Sequence, residues 1–358
     1  MKKNIGILLA IIFVSGFMFS CENAKKPASD ETGVKNIIFL IGDGMGVPQL
    51  HAAMEHADET LIMEKAEYTG LSKTHSLTNK ITDSAAGGTA LATGNKTSNG
   101  VISQDTLGNA LKTILEFAED YGLSTGLVST SAITHATPAS FIAHEENRNN
   151  YEAIAADFLD TDIEVFIGGG FDHFANRKDG LNLVESLEEK GYSLVRNLEE
   201  LKASQADKLA GLLAEGHLPP VAEGREDMLS VATAKALDIL SRNEDGFFLM
   251  VEGSQIDWGG HANDLDYIVS ETIDFDQAVG VAVDFAKKNP GTLVVVTSDH
   301  ETGGLAMPVT NPHFATGGHS AVLVPIFSYG EGAEHFSGIM DNTDFFPRFM
   351  KLYGFSEN

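Results

Sequence analysis

A single cysteine, Cys21, occurs in 358 residues. It lies near the amino end, so the body of the chain has no disulfide and no thiol chemistry. Its stability must come from a packed core and from bound metal. Basic residues are also scarce: 24 Lys and Arg stand against 51 Asp and Glu, a formal net charge of −27. That deficit excludes a nucleic-acid-binding role, which needs a basic patch. It also means that the general field repels an anionic substrate unless local cations, such as bound divalent metals, reverse it. Internal repeats and low-complexity runs are absent. The apolar fraction is 43% and the mean hydropathy is near zero, as in a soluble chain with a sizeable core.

The one long apolar run, residues 5–19, follows Lys2 and Lys3 and ends at Ser20-Cys21. A charged start and a run of this length read as a leader rather than a membrane span. Residues 1–20 are therefore expected to be a lipoprotein signal peptide, with Cys21 the acylated residue. Residues 21–33, polar and containing Pro27 and Ser29, read as a tether, and 34–358 as one domain. The protein is then exported, periplasmic or anchored to the outer membrane through its lipid.

Strands are expected at 36–41, 124–130, 165–167, 246–251, 293–297 and 321–328. Helices are expected at 109–121, 230–240 and 266–288, where apolar residues recur at helical spacing. Alternating strands and helices predict an α/β fold: a central, largely parallel sheet with helices on both faces. Residues 176–226, charged and broken by Pro219-Pro220, read as a surface excursion around the site.

Four short runs of Asp and His carry the chemistry. They are Leu40-Ile-Gly-Asp-Gly-Met-Gly46, Gln255-Ile-Asp-Trp-Gly-Gly-His261, Val294-Val-Val-Thr-Ser-Asp-His300 and Thr316-Gly-Gly-His319. Three follow an expected strand. Ligands delivered to strand ends suit a metal centre at the carboxyl edge of a sheet. Mixed imidazole and carboxylate donors suit Zn²⁺, and carboxylate-rich sets suit Mg²⁺. Thr82-Asp-Ser-Ala-Ala-Gly-Gly88 reads as a helix start capped by Asp83, with Gly94 as its stop. Ser84 then lies at the positive end of a helix, where free N–H groups favour a phosphoryl oxygen. A metal that lowers the pKa of its hydroxyl removes the need for a histidine base.

Asp-Ser-Ala, Gly-Asp-Gly-Met-Gly, His-Ala-Thr-Pro-Ala, Asp-x-x-x-His, Ser-Asp-His-Glu-Thr-Gly-Gly and Gly-Gly-His together resemble the alkaline phosphatase family. The motifs stand in family order from about residue 36 to 327, and two longer stretches look like small cold-active bacterial members. The resemblance implies an alkaline-phosphatase-like fold with a short crown. It implies hydrolysis of small phosphate monoesters through a phosphoserine at Ser84, at a centre of two Zn²⁺ and one Mg²⁺. Asp257, His261 and His319 would hold the first zinc, and Asp43, Asp299, His300 and the Ser84 oxygen the second. Asp43, Thr137 and Glu252 would hold magnesium. Arg148, on a helix that Pro138 can start, would grip phosphate oxygens as a planar fork. His135 and Trp258 would face the substrate, at positions where other members carry Asp, and Lys or His. His135 cannot accept from a magnesium-bound water as a carboxylate does, which predicts looser Mg²⁺ binding. Only residues 301–318 separate His300 from His319, where many members carry a large insertion; this opens the cleft and leaves a homodimer open. His51, His56, His144 and His313 are expected to be structural. The Ser84 segment lacks the x-Pro-x-Arg context of sulfatases, and Ser84 with Arg148 favours monoesters over diesters.

Overall fold

The computed structural model describes residues 33–307 and 311–356. The expected leader, Cys21 and the tether up to residue 32 lie outside the described residues. Fourteen strands occur among them: β1 Asn36–Gly42, β2 Tyr68–Lys73, β3 Ser124–Ala132, β4 Val165–Gly169, β5 Ser193–Val195, β6 Leu209–Leu212, β7 Phe247–Gly253, β8 Thr292–Thr297, β9 Glu301–Thr302, β10 Leu305–Ala306, β11 His313–Phe314, β12 His319–Ser320, β13 Val324–Gly330 and β14 Gly338–Asp341. Ten form one sheet in the order β14-β2-β13-β8-β1-β7-β3-β4-β6-β5. Neighbours run parallel except that β13 is antiparallel to both β8 and β2.

The sheet is covered on both faces, which is why its central strands read as unbroken apolar runs. Along β1, Ile37, Phe39 and Ile41 enter one core and Ile38 and Leu40 the other. Phe39 meets the rings of Phe141, Phe345 and Phe349. The opposite face is covered by the helices Met228–Leu240 and Leu265–Lys288. The latter is capped by Asp264, which accepts from Tyr267 N, and ends in Lys287 and Lys288, which complement the helix dipole.

Ile41 of β1 lies level with Glu252 of β7 and Thr297 of β8. Three chemistry-bearing segments thus leave the sheet side by side. Beyond β8, the short strands β9 to β12 make two two-stranded ribbons, β10-β11 and β12-β9. The second pairs His319 with Thr302 and so returns His319 to the sheet edge.

Several sequence expectations are corrected. The helix expected at 109–121 is only Ile114–Asp120. Thr113 and Glu116 form a capping box that starts it there, and Leu111 N bonds to Ser103 O instead. The strand expected at 321–328 is β13, shifted towards the carboxyl end. Residues 176–226 are more than a surface excursion, because they supply β6 and the edge strand β5.

Candidate metal centre and active site

Asp43, Glu252, Asp299 and His300 are completely buried at the carboxyl ends of β1, β7 and β8. Close loop packing requires glycine at 44, where φ is +75° and an added Cβ would lie 2.6 Å from Asp257 Cα. Three groups of donor atoms converge: Asp257, His261 and His319; Asp43, Asp299 and His300; and Asp43, His135 and Glu252.

In the first group, His261 Nε2 and His319 Nε2 are 3.2 Å apart. They lie 3.4 and 3.5 Å from Asp257 Oδ1. A tetrahedral zinc with bonds of about 2.0–2.1 Å sets its ligands roughly 3.3 Å apart, so this triangle has the size of a zinc shell. Both rings are held from behind. His261 Nδ1 meets Gly317 O at 2.8 Å and His319 Nδ1 meets Thr82 O at 2.9 Å. Each Nδ1–H donates to a carbonyl, which leaves each Nε2 lone pair free to ligate.

In the second group His300 Nε2 is the hub. It lies 3.3 Å from Ser84 Oγ, 3.5 Å from Asp43 Oδ1 and 3.2 Å from Asp299 Oδ2. Thr302 Oγ1 sits behind both groups, 2.5 Å from Asp257 Oδ1 and 3.2 Å from His300 Nδ1. In the third group Glu252 Oε2 accepts from Ser129 and Ser254, each at 2.6 Å. Its Oε1 is left without a partner, as are both Asp43 oxygens, Asp299 Oδ2 and Thr137 Oγ1.

Buried oxygens are rarely left unpartnered, and here several aim at one small volume. Burial pushes the Asp43 carboxyl well above its usual range, and the charges of Asp299, Asp257 and Glu252 push it further. Burial likewise raises Glu252 to about 7. Burial lowers His300, so its imidazole is neutral. Neutral imidazoles beside crowded carboxylates are what divalent cations take, and their charge would relieve the crowding. The donor sets fit divalent cations: two carry histidine Nε2 beside carboxylates, and the third sets Asp43 and Glu252 beside His135 and the unpartnered Thr137 Oγ1.

Ser84 is the first residue of the helix Ser84–Thr93, which Gly94 closes at φ 71°. Asp83 Oδ1 caps this helix through Ala86 N. Asp83 Oδ2 takes Gly100 N and Arg148 Nη1, each at 3.0 Å. Burial opposes the charge on Arg148, but Asp83 holds the guanidinium protonated. Arg148 is not on a helix, which corrects that expectation. The helix after His135 stops at Ala139, and Arg148 lies in a turn, its N–H bonded to Gly100 O. Its Nη2 faces His135 Nε2 at 3.4 Å. Burial and the charge of Arg148 lower His135, which is neutral.

A model of the alkaline phosphatase family matches residues 34–314. The chain belongs to the alkaline phosphatase family. Alkaline phosphatase 4 of Bacillus subtilis (strain 168) is 42% identical over 320 residues, covering 85% of this chain and 69% of that one. Alkaline phosphatase of Escherichia coli (strain K12) is 31% identical over 408 residues, 90% and 87% of the two chains. The solved alkaline phosphatase of the Antarctic bacterium TAB5 superposes with a TM-score of 0.87 at 40% identity, covering 91% of this chain and 99% of that one. A histidine-to-aspartate variant of that enzyme was solved with magnesium in its M3 site. As a member of the alkaline phosphatases, this chain is a phosphomonoester hydrolase.

The alkaline phosphatase site contains side chains that sequence reading missed. Thr302 stands inside the Ser-Asp-His-Glu-Thr-Gly-Gly motif and was legible as a neighbour of His300. Ser129 and Ser254 stand next to or on strands β3 and β7, where hydroxyls in a buried strand were a usable sign. His217, which meets Trp258 edge-on with ring centroids 4.9 Å apart, lies in the segment with the least sequence signal. His144 lies away from the metal groups, held by Ser103 O and Glu116 Oε1, in keeping with a structural role. Among the described residues no helix is long and apolar enough to cross a membrane.

Proposed function

We propose that the enzyme hydrolyses phosphate monoesters through a phosphoserine at Ser84. The observation that carries this reading is Ser84 Oγ at a helix start, 3.3 Å from His300 Nε2, with Arg148 held beside it by Asp83. Zinc at Asp257–His261–His319 and at Asp43–Asp299–His300, and magnesium at Asp43–Glu252–Thr137, would supply Lewis-acid charge that acidifies the hydroxyl and offsets charge on the entering and leaving oxygens. Ser84 Oγ passes its proton to water and bonds to phosphorus as the P–O bond to the alcohol breaks in line, and the departing alkoxide takes a proton from water. Water then displaces Ser84 Oγ in a second in-line step, and inorganic phosphate leaves. Two inversions retain configuration at phosphorus. Arg148 steadies two equatorial oxygens through its planar fork, and the first-turn N–H groups of the Ser84 helix assist. His135 and Trp258 wall the phosphoryl side. Because these groups address the phosphoryl unit, selectivity for the alcohol is weak.

The test is turnover of p-nitrophenyl phosphate, bis-p-nitrophenyl phosphate and p-nitrophenyl sulfate with Zn²⁺ and Mg²⁺, for wild type and Ser84→Ala. Monoester turnover is expected to fall at least about a thousandfold in the variant while its zinc content is kept. Preference for the diester or the sulfate would remove the Arg148 reading.

We also infer that residues 1–20 direct export, that Cys21 is acylated and tethered through residues 21–33, and that 34–358 fold as one domain in the periplasm or at the outer membrane. Palmitate labelling at Cys21 tests the anchor; an unlabelled mature chain would remove it. Whether two chains form a homodimer is read by sedimentation.

A further inference from the structure

His217, an exposed residue of the 176–226 segment, lies against the rings of His135 and Trp258. Ala132 N donates to its Nδ1 at 3.0 Å. A backbone N–H can only donate, so the ring proton sits on Nε2. The ring stands edge-on to Trp258, at 4.9 Å and 78°, and to His135, at 5.4 Å and 88°. Trp258 and His135 are themselves 6.3 Å apart at 89°. The three rings brace one another at right angles, an arrangement that aromatic quadrupoles favour. His135 Nε2 in turn faces Arg148 Nη2. His217 is therefore two contacts away from the guanidinium.

The backbone is held on both sides of this residue. Upstream, Gly170 N donates to Ala214 O at 3.0 Å and to Gly216 O at 2.6 Å. A Cβ at position 169 would come within 2.0 Å of Gly216 O, so this close approach requires glycine. The Gly168-Gly-Gly170 run that closes β4 thus seats the loop carrying His217. Downstream, Leu218 O accepts from Gln255 Nε2 at 2.9 Å. Gln255 begins the helix Gln255–Ala262, which bears both Asp257 and Trp258. A few residues on, buried Arg225 pairs with Glu271 and Asp274 of the long helix. Ordering a loop costs conformational entropy, and a mere surface connection does not need anchors on both sides of one side chain.

We propose that His217 is a positioning residue for the phosphoryl site. Its ring, fixed by Ala132 N, holds Trp258 and His135 in place, and through His135 it sets the guanidinium of Arg148. This rests on the reading of Arg148 as the phosphate clamp.

The test compares wild type, His217→Ala, His217→Asn and Arg148→Ala in the zinc- and magnesium-loaded enzyme. The asparagine keeps an acceptor for Ala132 N but has no ring. Readouts are kcat and KM for p-nitrophenyl phosphate, Ki for inorganic phosphate, and fluorescence emission. Trp258 is the one tryptophan in the chain, so emission reports this contact directly. Both His217 variants are expected to shift the emission and to raise KM and Ki by about five- to tenfold, with kcat changed by less than about threefold. Unchanged emission, or KM and Ki within about twofold of wild type, would overturn the proposal, as would a loss confined to kcat. An Arg148→Ala variant with normal phosphate inhibition would instead remove the clamp reading. If His217→Ala does not fold, His217→Asn carries the test, because it keeps the backbone tie.

Discussion

Asp83 holds Arg148 with one carboxylate oxygen and caps the Ser84 helix with the other: Oδ2 lies 3.0 Å from Arg148 Nη1, and Oδ1 lies 3.0 Å from Ala86 N. One side chain thus couples the start of the Ser84 helix to the guanidinium of Arg148.

Asp83→Ala therefore removes two functions at once. Loss of the cap is expected to cost about 1 kcal/mol, seen as a lower melting temperature. Release of the guanidinium is expected to raise Ki for inorganic phosphate by about tenfold. Asp83→Asn keeps an acceptor for Ala86 N, so its melting temperature is expected to stay closer to wild type while Ki still rises. A Ki that does not move in either variant would show that Arg148 is oriented by other contacts.

Thr302 links two of the three donor groups. Its hydroxyl donates to Asp257 Oδ1 and accepts from His300 Nδ1. Thr302→Val preserves shape and deletes both bonds. Groups that orient metal ligands from behind typically contribute 10–100-fold in affinity, so zinc retention against a competing chelator is expected to fall by about that factor. Wild-type retention in the variant would mean that the backbone alone orients His300 and Asp257.

Far from the site, Glu119 is half-buried beside Thr125 Oγ1, which donates to it at 3.0 Å. Burial pushes its carboxyl up to about 7, and the charges of Glu164 and Asp162 add to the shift. A folded-state pKa above the unfolded value means that the folded protein binds the proton more tightly. Stability from this group is present below about pH 4.5 and is lost as pH rises through about 7. Glu119→Gln keeps the acceptor and removes the charge. It is expected to be more stable than wild type by about 2 kcal/mol at pH 8–9, and the gap is expected to close near pH 5. A gap independent of pH would show that Glu119 keeps an ordinary carboxyl in the fold.

Sequence patterns were most informative where one local requirement dominated. Buried parallel strands need unbroken apolar runs, so β1, β7 and β8 stood out, and with them the carboxyl edge. Asp83, Ser84 and Gly94 carried a helix start and stop in their own chemistry. The helix expected at 109–121 shrank because the Thr113–Glu116 capping box outcompeted helical periodicity upstream of it. Arg148 was expected on a helix, but its position depends on Gly100 O and Asp83, both distant in sequence.

The sequence by itself determined the α/β class, the family motifs and the kinds of donor side chain present. Those depend on side-chain chemistry and on short-range spacing, which a single chain displays directly. Only the tertiary structure decided which donors converge, that Thr302 stands behind two groups, that residues 176–226 complete the sheet edge, and that His217 meets His135 and Trp258. Those relations arise when segments far apart in sequence pack against each other. Their lengths and angles are set by sheet register and by close backbone approach at a few glycines, and neither leaves a periodic trace in the chain.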